Sequence, residues 1–451
     1  CPMNALLFPS DTPSFCASKQ PPNSAAPNTA LTSHVKEYNH PPPFYRLCWA
    51  VLCERWAAFM LTSTAALMLC DRFGFSPAQS LRWLGIASAA NYVGSLPGGY
   101  VLDRLGDSHR GFAIGSLLLL LGYVALSLPS ASALYVAFGL LLAGHSLFKP
   151  STQGTLATLY PTGNPYIERA HVMVHFMANL GAACGSLLAG ALAKYVGWNV
   201  TYGCAALVMS VSGFLAWPSQ HKDRNSAPPR EQVPMNPQSD PRHTTPRSLQ
   251  IIVGLCLAMF LFTLCTGQAE GALLLWSRDR IDRVILGFEI PVAWFLAFPS
   301  ILVLLLAPIQ IALLLRIKQR IGTAQLISGG LIAAALCFAV LLPTTLWVER
   351  VGVAWIAGAL FFFVLAELLI APLGLALLQR SAPLGFIGIA TGFWYGASAL
   401  GYLASGEVGT LWSGWPTRNV LLFLTALPVG GAVIFSWLTP KRSLRSETTA
   451  P

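Results

Sequence analysis

Charged residues are scarce in this chain. Asp, Glu, Lys and Arg make up only 10% of its 451 residues, whereas a soluble domain carries about 25%. Apolar residues make up 54%, and the mean hydropathy is positive, at +0.58. These values exclude an ordinary soluble domain and predict a protein that crosses a membrane many times.

Patterns that bind metals, form disulfides or catalyse reactions are missing as well. The ten cysteines form no C-x-x-C pair, and the Cys and His residues lack the spacing of a metal site. No nucleophile with a neighbouring base and no phosphate-binding loop is present, so we expect neither an enzyme nor a cofactor. The net charge of +10 would suggest nucleic acid in a soluble protein. Here the basic residues lie mostly between apolar stretches, where they set orientation, and no nucleic-acid partner is expected.

Long apolar stretches recur along the whole chain. Each is long enough to form a helix that crosses a hydrocarbon core of ~30 Å. The spacing therefore predicts an all-α membrane protein with twelve transmembrane helices. The predicted spans are 44–70, 78–102, 111–129, 132–155, 168–193, 198–217, 248–276, 291–316, 323–345, 350–378, 384–406 and 416–438.

A polar, Pro-rich segment at 218–247 divides these spans into two groups of six. It predicts a cytoplasmic linker between an amino-terminal six-helix bundle, 44–217, and a carboxy-terminal one, 248–438. The sequence begins at Cys1 and not at Met, which we expect to reflect a missing start and not a lipid-modified cysteine.

Lys and Arg concentrate at one end of the predicted bundle. Placing the tails 1–43 and 439–451 in the cytoplasm puts most of these residues on the cytoplasmic side, as the positive-inside rule requires. We therefore expect a multi-pass protein of the cell membrane with both termini in the cytoplasm. The 1–43 tail is rich in Pro, Ser and Asn, which predicts disorder. One predicted external loop runs against the rule, with Arg278, Arg280 and Arg283.

Charged residues inside the spans point to function. Glu54 and Arg55 lie together in the first span, Lys149 in the fourth and Glu367 in the tenth. A charge at the bilayer centre costs about 2.5–3.5 kcal/mol and usually faces a polar cavity or a partner. The alternative is that these charged side chains extend to the membrane surface. We predict an ion or substrate site, with Lys149 and Glu367 forming an ion pair across the two halves.

The segment 98–106, which reads GGYVLDRLG, resembles the loop signature G-x-x-x-D-R-x-G of the major facilitator superfamily. Gly99, Asp103, Arg104 and Gly106 occupy the signature positions. The glycines permit close helix packing and a tight turn. This resemblance implies a fold of two six-helix bundles.

From His40 to about Trp415 the chain resembles the proton-coupled oligopeptide transporter family of that superfamily. Residues 51–59 read VLCERWAAF, where the family carries E-x-x-E-R-F-x-Y-Y. The fourth span has Lys149-Pro150-Ser151 for the family's K-P-N, and the tenth follows its E-x-x-x-x-P-x-G from Glu367 to Gly374. Further matching positions are Asn179, Gly181, Gln268, 282–283, 287–291, Trp294, 306–308, Gly392 and Trp394.

The resemblance implies a role for each of the buried charges. Arg55 and Lys149 would bind a peptide carboxylate, and Glu367 its amino group. Glu54 and Glu367 would couple transport to protons, and Lys149 with Glu367 would form the cytoplasmic gate. The other residues predicted to contact substrate are Trp56, Phe59, Asn179, Gln268, Trp294 and Trp394.

Several positions depart from the family pattern. The first Glu of the motif is Val51, and the external gate pair is replaced by Thr62 and Gly267. Losing both gate charges is coherent, since one alone would stay uncompensated. Glu270, one turn after Gly267, is a candidate substitute acid in proton coupling. The family's tyrosines in the first span are Ala58 and Phe59, and its asparagines in the fourth and eighth are Ser151 and Pro299.

His145, one turn before Lys149, leaves two readings open. It could titrate near neutral pH, or it could make a structural hydrogen bond.

We predict a transporter that carries di- or tripeptides, or peptide-like small molecules, together with protons by alternating access. The proton gradient would drive it, and a monomer in the lipid bilayer is expected. Two alternatives stay open: the same fold carrying a different small anion or metabolite, and a sensor that transports nothing.

Overall fold

The structure is a computed structural model that describes residues 40–160, 166–216, 246–317, 321–382 and 386–439. Almost all of the predicted tails and of the predicted linker lies outside these ranges. The described part is almost entirely helical, so the predicted all-α membrane fold is confirmed. Eight described helical segments are long and apolar enough to cross a membrane, judged by length and composition.

Helices cover all six predicted spans of the first half. The first span is interrupted at Ser63 and Thr64, whose hydroxyls donate to the carbonyls of Phe59 and Met60 one turn earlier, bonds of a kind that slightly destabilises a helix. The helices are α1 (Pro42–Thr62), α2 (Ala65–Asp71), α3 (Pro77–Leu105), α4 (Ser108–Ser127), α5 (Ala131–Leu159), α6 (Ile167–Tyr195) and α7 (Trp198–Ala216).

The second half is also helical, with one irregular span. A π-helical turn, Gln268–Ala272, interrupts its first helix. Its helices are α8 (Pro246–Gly267), α9 (Leu273–Arg280), α10 (Ala297–Ile317), α11 (Thr323–Ala339), α12 (Val353–Ser381), α13 (Ile387–Gly414) and α14 (Thr417–Leu438), with 3-10 turns at Val292–Leu296 and Leu342–Leu346.

Four short strands lie in the loops of the second half. Strand β1 (Ile281–Asp282) pairs in parallel with β4 (Val351–Gly352). Strand β2 (Val284–Ile285) pairs antiparallel with β3 (Phe288–Glu289). The second pair forms a small hairpin that extends from the helices toward the other half.

Each half is organised around its own apolar core. In the first half, α1 packs on α6 and α7, and α4 packs on α5 and α7. A Cβ added at Gly181 of α6 would overlap the backbone carbonyl of Leu52 in α1, so only glycine allows this close approach. The approach places the Glu54–Arg55 pair of α1 inside the bundle. The residue limits of the two bundles stay a prediction.

The two halves meet at the end predicted to be external. Helix α3 packs on α13, and α6 packs on α10 and the 3-10 turn before it. A Cβ at Gly85 of α3 would come within 2.7 Å of the carbonyl oxygen of Tyr402 in α13. The backbones are therefore in direct contact at this end.

The loop signature turns the chain between α3 and α4. Gly106 ends α3 in the left-handed region, at φ 65°, where glycine is favoured. Arg104 donates to the hydroxyl of Tyr100 at 2.6 Å. A Cβ at Gly98 would overlap the carbonyl of Ser146 in α5, whereas Gly99 has no described neighbour within 4 Å of such an atom. Close helix packing thus depends on Gly98 and not on Gly99.

Candidate functional site

A cavity of about 410 Å³ lies between the two halves. Residues of α1, α3 and α5 line it from the first half, and the π-helical turn and α13 line it from the second. Its volume falls within the ~300–1,000 Å³ of small-molecule sites. The polar residues that matter below are Arg55, Asn91, His145, Glu270 and Tyr402.

Glu54 lies just behind this cavity and is only 1% exposed. Arg55 donates to it from two guanidinium nitrogens: Nε is 2.6 Å from Oε2, and Nη2 is 2.9 Å from Oε1. His145 Nδ1 lies 3.2 Å from Oε1. The buried carboxylate is therefore compensated by Arg55, with His145 beside it. Arg55 and His145 reach the cavity, but Glu54 does not.

Lys149 and Glu367, the predicted gate, do not form an ion pair in this structure. Lys149 Nζ lies 3.2 Å from Asn91 Oδ1 and 5.7 Å from the centre of the Tyr92 ring. Helices α5 and α12, which carry the two charges, hardly touch because the halves meet at the other end. The gate stays a prediction for a conformation in which this end is closed.

Glu270 is the acid that the second half presents to the cavity. It lies in the π-helical turn and is partly exposed. Among the described residues it has no hydrogen bond or ion pair within bonding distance. Turns of this kind frequently occur at functional sites. Glu270 and Arg55 thus face one cavity from different halves.

Gln268, a predicted substrate contact, is held by α13 in this structure. Its Nε2 donates to the backbone oxygen of Ser405 at 2.6 Å and lies 2.9 Å from that residue's hydroxyl. Its Oε1 accepts from Trp412 Nε1 at 2.9 Å. Both amide atoms are used by α13, and the side chain does not line the cavity.

Of the predicted aromatic contacts, only Phe59 lines the cavity. Trp294 Nε1 donates to the carbonyl of Leu187 at 2.8 Å, which joins the two halves. Trp394 is buried in the core of the second half. Trp56 also lies outside the lining, packed against the core of the first half.

Asn179, the remaining predicted substrate contact, lies on α6 outside the cavity lining. Its amide donates to the carbonyl of His175 at 3.0 Å, one turn earlier on the same helix. In this structure it therefore contributes to the local helix and not to the cavity.

Thr62 and Gly267, which stand where the family has its external gate pair, both make close packing contacts. Thr62 donates to the carbonyl of Ala58 at 3.1 Å. A Cβ at Gly267 would come within 2.5 Å of the Ser405 hydroxyl, so an acid would not fit there without movement.

Within the described ranges, three ion pairs join the halves around the rim of this end instead, and the sequence analysis did not predict them. The excess of Arg in the predicted external loop was a signal for them. Arg278 belongs to one pair, Arg283 Nη2 lies 2.7 Å from Glu289 Oε1, and Arg280 donates to the Trp347 carbonyl at 2.6 Å. The pairs between halves are Asp71–Arg278 at 3.1 Å, Arg82–Glu407 at 2.9 Å and Lys194–Glu289 at 2.8 Å.

Glu289 lies in the hairpin outside the membrane-spanning helices. The hydrogen bond from Lys194, with the nearby charge of Arg283, holds the pKa of its carboxyl below the usual range. A lowered pKa keeps the carboxylate charged, so it can pair with both bases at ordinary pH.

Comparison with known proteins identifies the class. Residues 47–406 match the family profile described as Major Facilitator Superfamily. This match covers most of the chain, so the protein belongs to the Major Facilitator Superfamily, a family of transporters. The comparisons also support the more specific resemblance, to a divergent member of the proton-coupled oligopeptide transporter family.

Peptide transporters are among the similar sequences. The Peptide transporter YePEPT of Yersinia enterocolitica subsp. palearctica is 24% identical, over 91% of this chain and 96% of its own. The Dipeptide and tripeptide permease B of Xenorhabdus bovienii is 22% identical, over 88% and 90%. The chain therefore spans nearly the full length of these relatives.

Solved structures show the same fold. A POT family transporter in complex with a thioalcohol-conjugated peptide has a TM-score of 0.82 at 18% identity, covering 90% of this chain and 98% of that one. A POT family transporter in complex with 5-aminolevulinic acid has a TM-score of 0.80 at 17% identity, with the same coverage.

Proposed function

We propose that this protein carries short peptides, or small peptide-like zwitterions, across the membrane together with protons. The observation that carries the proposal is the cavity between the halves, which Arg55 enters from one half and Glu270 from the other. A zwitterion offers a carboxylate to the first and an amino group to the second. Opposite charges on separate halves also let one ligand engage both.

The Glu54–Arg55 pair supplies a route to proton coupling. Arg55 is now bound through two hydrogen bonds to Glu54. Arg55 is a favoured bidentate partner for a substrate carboxylate. If Arg55 binds the substrate instead of Glu54, the negative charge of the buried Glu54 is less compensated. Such a charge is costly, and a proton bound at this cluster compensates it. Substrate binding and proton binding would then favour each other.

The distribution of contacts supports alternating access. The halves are joined by ion pairs and close backbone packing at one end, while Lys149 and Glu367 are apart at the other. We propose that these two residues pair when the protein opens at the predicted external end. The predicted orientation, with both termini in the cytoplasm, belongs to this proposal, as do a monomeric state and a proton gradient as the driving force.

The relatives support the ligand class. Their names refer to peptides, dipeptides and tripeptides, and the solved structures hold a conjugated peptide and 5-aminolevulinic acid. The last is a small zwitterion with an amino group and a carboxylate. A cavity with one cation and one free acid fits that chemistry.

Thermal stability of the purified protein in detergent tests the proposal. We expect di- and tripeptides to stabilise it, by about 2.7 kcal/mol at 100 times the dissociation constant, and Arg55→Ala to lose this response. Arg46→Ala, a change on the same helix outside the cavity, is the control and should keep it. Stabilisation only by other small anions would mean that the substrate differs. Absence of any response in the intact protein, followed by absence of uptake in liposomes, would overturn the proposal.

A further inference from the structure

His145 lies between the cavity and the buried Glu54 carboxylate. It lies on α5, one turn before Lys149, and lines the cavity. Its side chain is 12% exposed, and its Nδ1 lies 3.2 Å from Oε1 of Glu54. A titratable ring therefore connects the cavity with the buried carboxylate that Arg55 already binds.

Helix α1 offers no second acid next to Glu54. The position one turn earlier is Val51, which is apolar and 6% exposed. Among the described side chains in direct contact with Glu54, only His145 can gain and lose a proton near neutral pH, since Arg55 stays charged. The second titratable group of the cluster thus comes from a different helix.

The groups around His145 set when its charge is tolerated. Helix α1 contributes Glu54 and Arg55, and α5 itself contributes Lys149. Helix α4 adds the phenol of Tyr123, and α3 adds the neutral Asn91 beside the phenol of Tyr92. The first half therefore places two cations and one acid around the ring, and Glu270 faces the same cavity from the second half. A third cation is favourable only while Glu54 is charged and Arg55 is engaged elsewhere.

We propose that His145 is a proton-handling residue of the transport cycle, which binds a proton when substrate draws Arg55 away from Glu54. The proposal rests on the proposed function. A proton from water in the cavity forms an N–H bond at the ring, and the imidazolium then pairs with the Glu54 carboxylate in place of the guanidinium. When substrate leaves and Arg55 returns, the proton passes back to water.

His145→Gln tests this role because glutamine can still bond to Glu54 but does not titrate. We expect peptide binding and exchange of labelled for unlabelled peptide without a gradient to persist. Gradient-driven uptake should lose its dependence on pH between about 5 and 8, the range in which histidine titrates. His175→Gln, on α6 outside the cavity lining, is the matched control and should keep the wild-type profile.

The outcomes separate this role from the function itself. Absence of peptide binding and exchange in the wild type would overturn the proposed function. A wild type that transports, with a His145→Gln variant that keeps the full pH profile and driven accumulation, would overturn the role of His145 alone. His145→Asn is measured in parallel, because a smaller amide can fit where glutamine does not. Loss of binding and exchange in both variants would show that the residue only maintains the site, and would also overturn the proposal.

Discussion

Lys194 of α6 and Glu289 of β3 join the two halves of the molecule at the end predicted to be external. The Nζ of Lys194 lies 2.8 Å from both the side-chain Oε2 and the backbone oxygen of Glu289. The family's gate pair is absent at the centre of this end, where Thr62 and Gly267 stand. Closure is therefore carried by the rim and by direct backbone packing.

Removing a rim charge should loosen this closure slightly. Exposed pairs contribute about 0.2–1 kcal/mol, so Lys194→Ala should change the ratio of closed to open molecules by at most about 5-fold. A cysteine placed at Thr62, in a background without native cysteines, would be labelled faster by an impermeant thiol reagent. Lys194→Arg, which keeps the positive charge beside Glu289, should keep the slow rate. Arg110→Ala, which removes a pair within the first half, should have no effect.

Acid should weaken the rim only below the ordinary range of glutamate. Because the pKa of Glu289 is lowered by the bond from Lys194, its contribution to closure is complete above the free value of about 4.3. It is lost as the pH falls through the lowered value. The labelling rate at position 62, divided by the rate in the Glu289→Gln variant at the same pH so that the falling thiolate fraction cancels, should thus stay constant from about pH 7 to pH 5. This ratio should rise only below about pH 4. Glu289→Gln should label faster than the wild type above about pH 5, and the two rates should converge at acid pH, where the wild-type carboxyl is neutral as well.

Lys149 and Glu367 should matter for transport and not for folding. Their charges are apart in this conformation, so Lys149→Ala and Glu367→Gln should leave a folded protein and abolish proton-driven uptake in liposomes. Cysteines at both positions should cross-link only in molecules whose predicted cytoplasmic end has closed. Normal driven uptake by Glu367→Gln would remove this residue from the mechanism, and cross-linking without any loss of transport would contradict the gate.

Glu270 should determine recognition of the amino group. A hydrogen bond to a charged partner contributes about 1.5–3 kcal/mol. Glu270→Gln should therefore weaken binding of a free dipeptide by about 10- to 100-fold, because 1.4 kcal/mol corresponds to a factor of ten. Binding of an N-acetylated peptide should change little. Calorimetry on both ligands measures the difference, with Glu349→Gln in an exposed loop as the control. Equal losses for the two ligands would refute a contact with the amino group.

Gln268 should contribute to the stability of the folded protein and not to its selectivity among ligands. Gln268→Leu would leave Trp412 Nε1 without its acceptor, and an unsatisfied buried polar group costs about 1–3 kcal/mol. The melting temperature should fall while the ranking of peptide ligands stays the same. A changed ranking at unchanged stability would return Gln268 to the substrate site.

The helices and the class of this protein could be predicted from its sequence, but the partners of its polar residues could not. Apolar stretches report directly on the membrane, so all twelve spans correspond to helices. Glu54 and Arg55 are adjacent, and adjacent helical residues do not normally face each other, so their bidentate pair was not foreseeable.

Contacts between residues far apart in the sequence could not be predicted either. Gln268 bonds to residues more than a hundred positions away, and nothing in local pattern signals such a partner. The rim pairs are of the same kind, although the Arg-rich loop gave a trace of them. Trp394 matches a family position but is buried in the core, because such a match does not distinguish a core aromatic from one that lines a cavity.

The π-helical turn at Gln268–Ala272 affects which positions of its membrane helix can place a charged residue in the cavity. A π-helical turn takes up one more residue than an α-helical turn, so the side chains on its two sides are out of phase with an uninterrupted helix. Gly267 just before this turn and Glu270 inside it both line the cavity, so an acid at either position would face the same space. A shift of a few positions offers a route by which a transporter could change its ligand without losing its fold. Fixed-spacing motifs would then be least informative where the helix itself changes pitch.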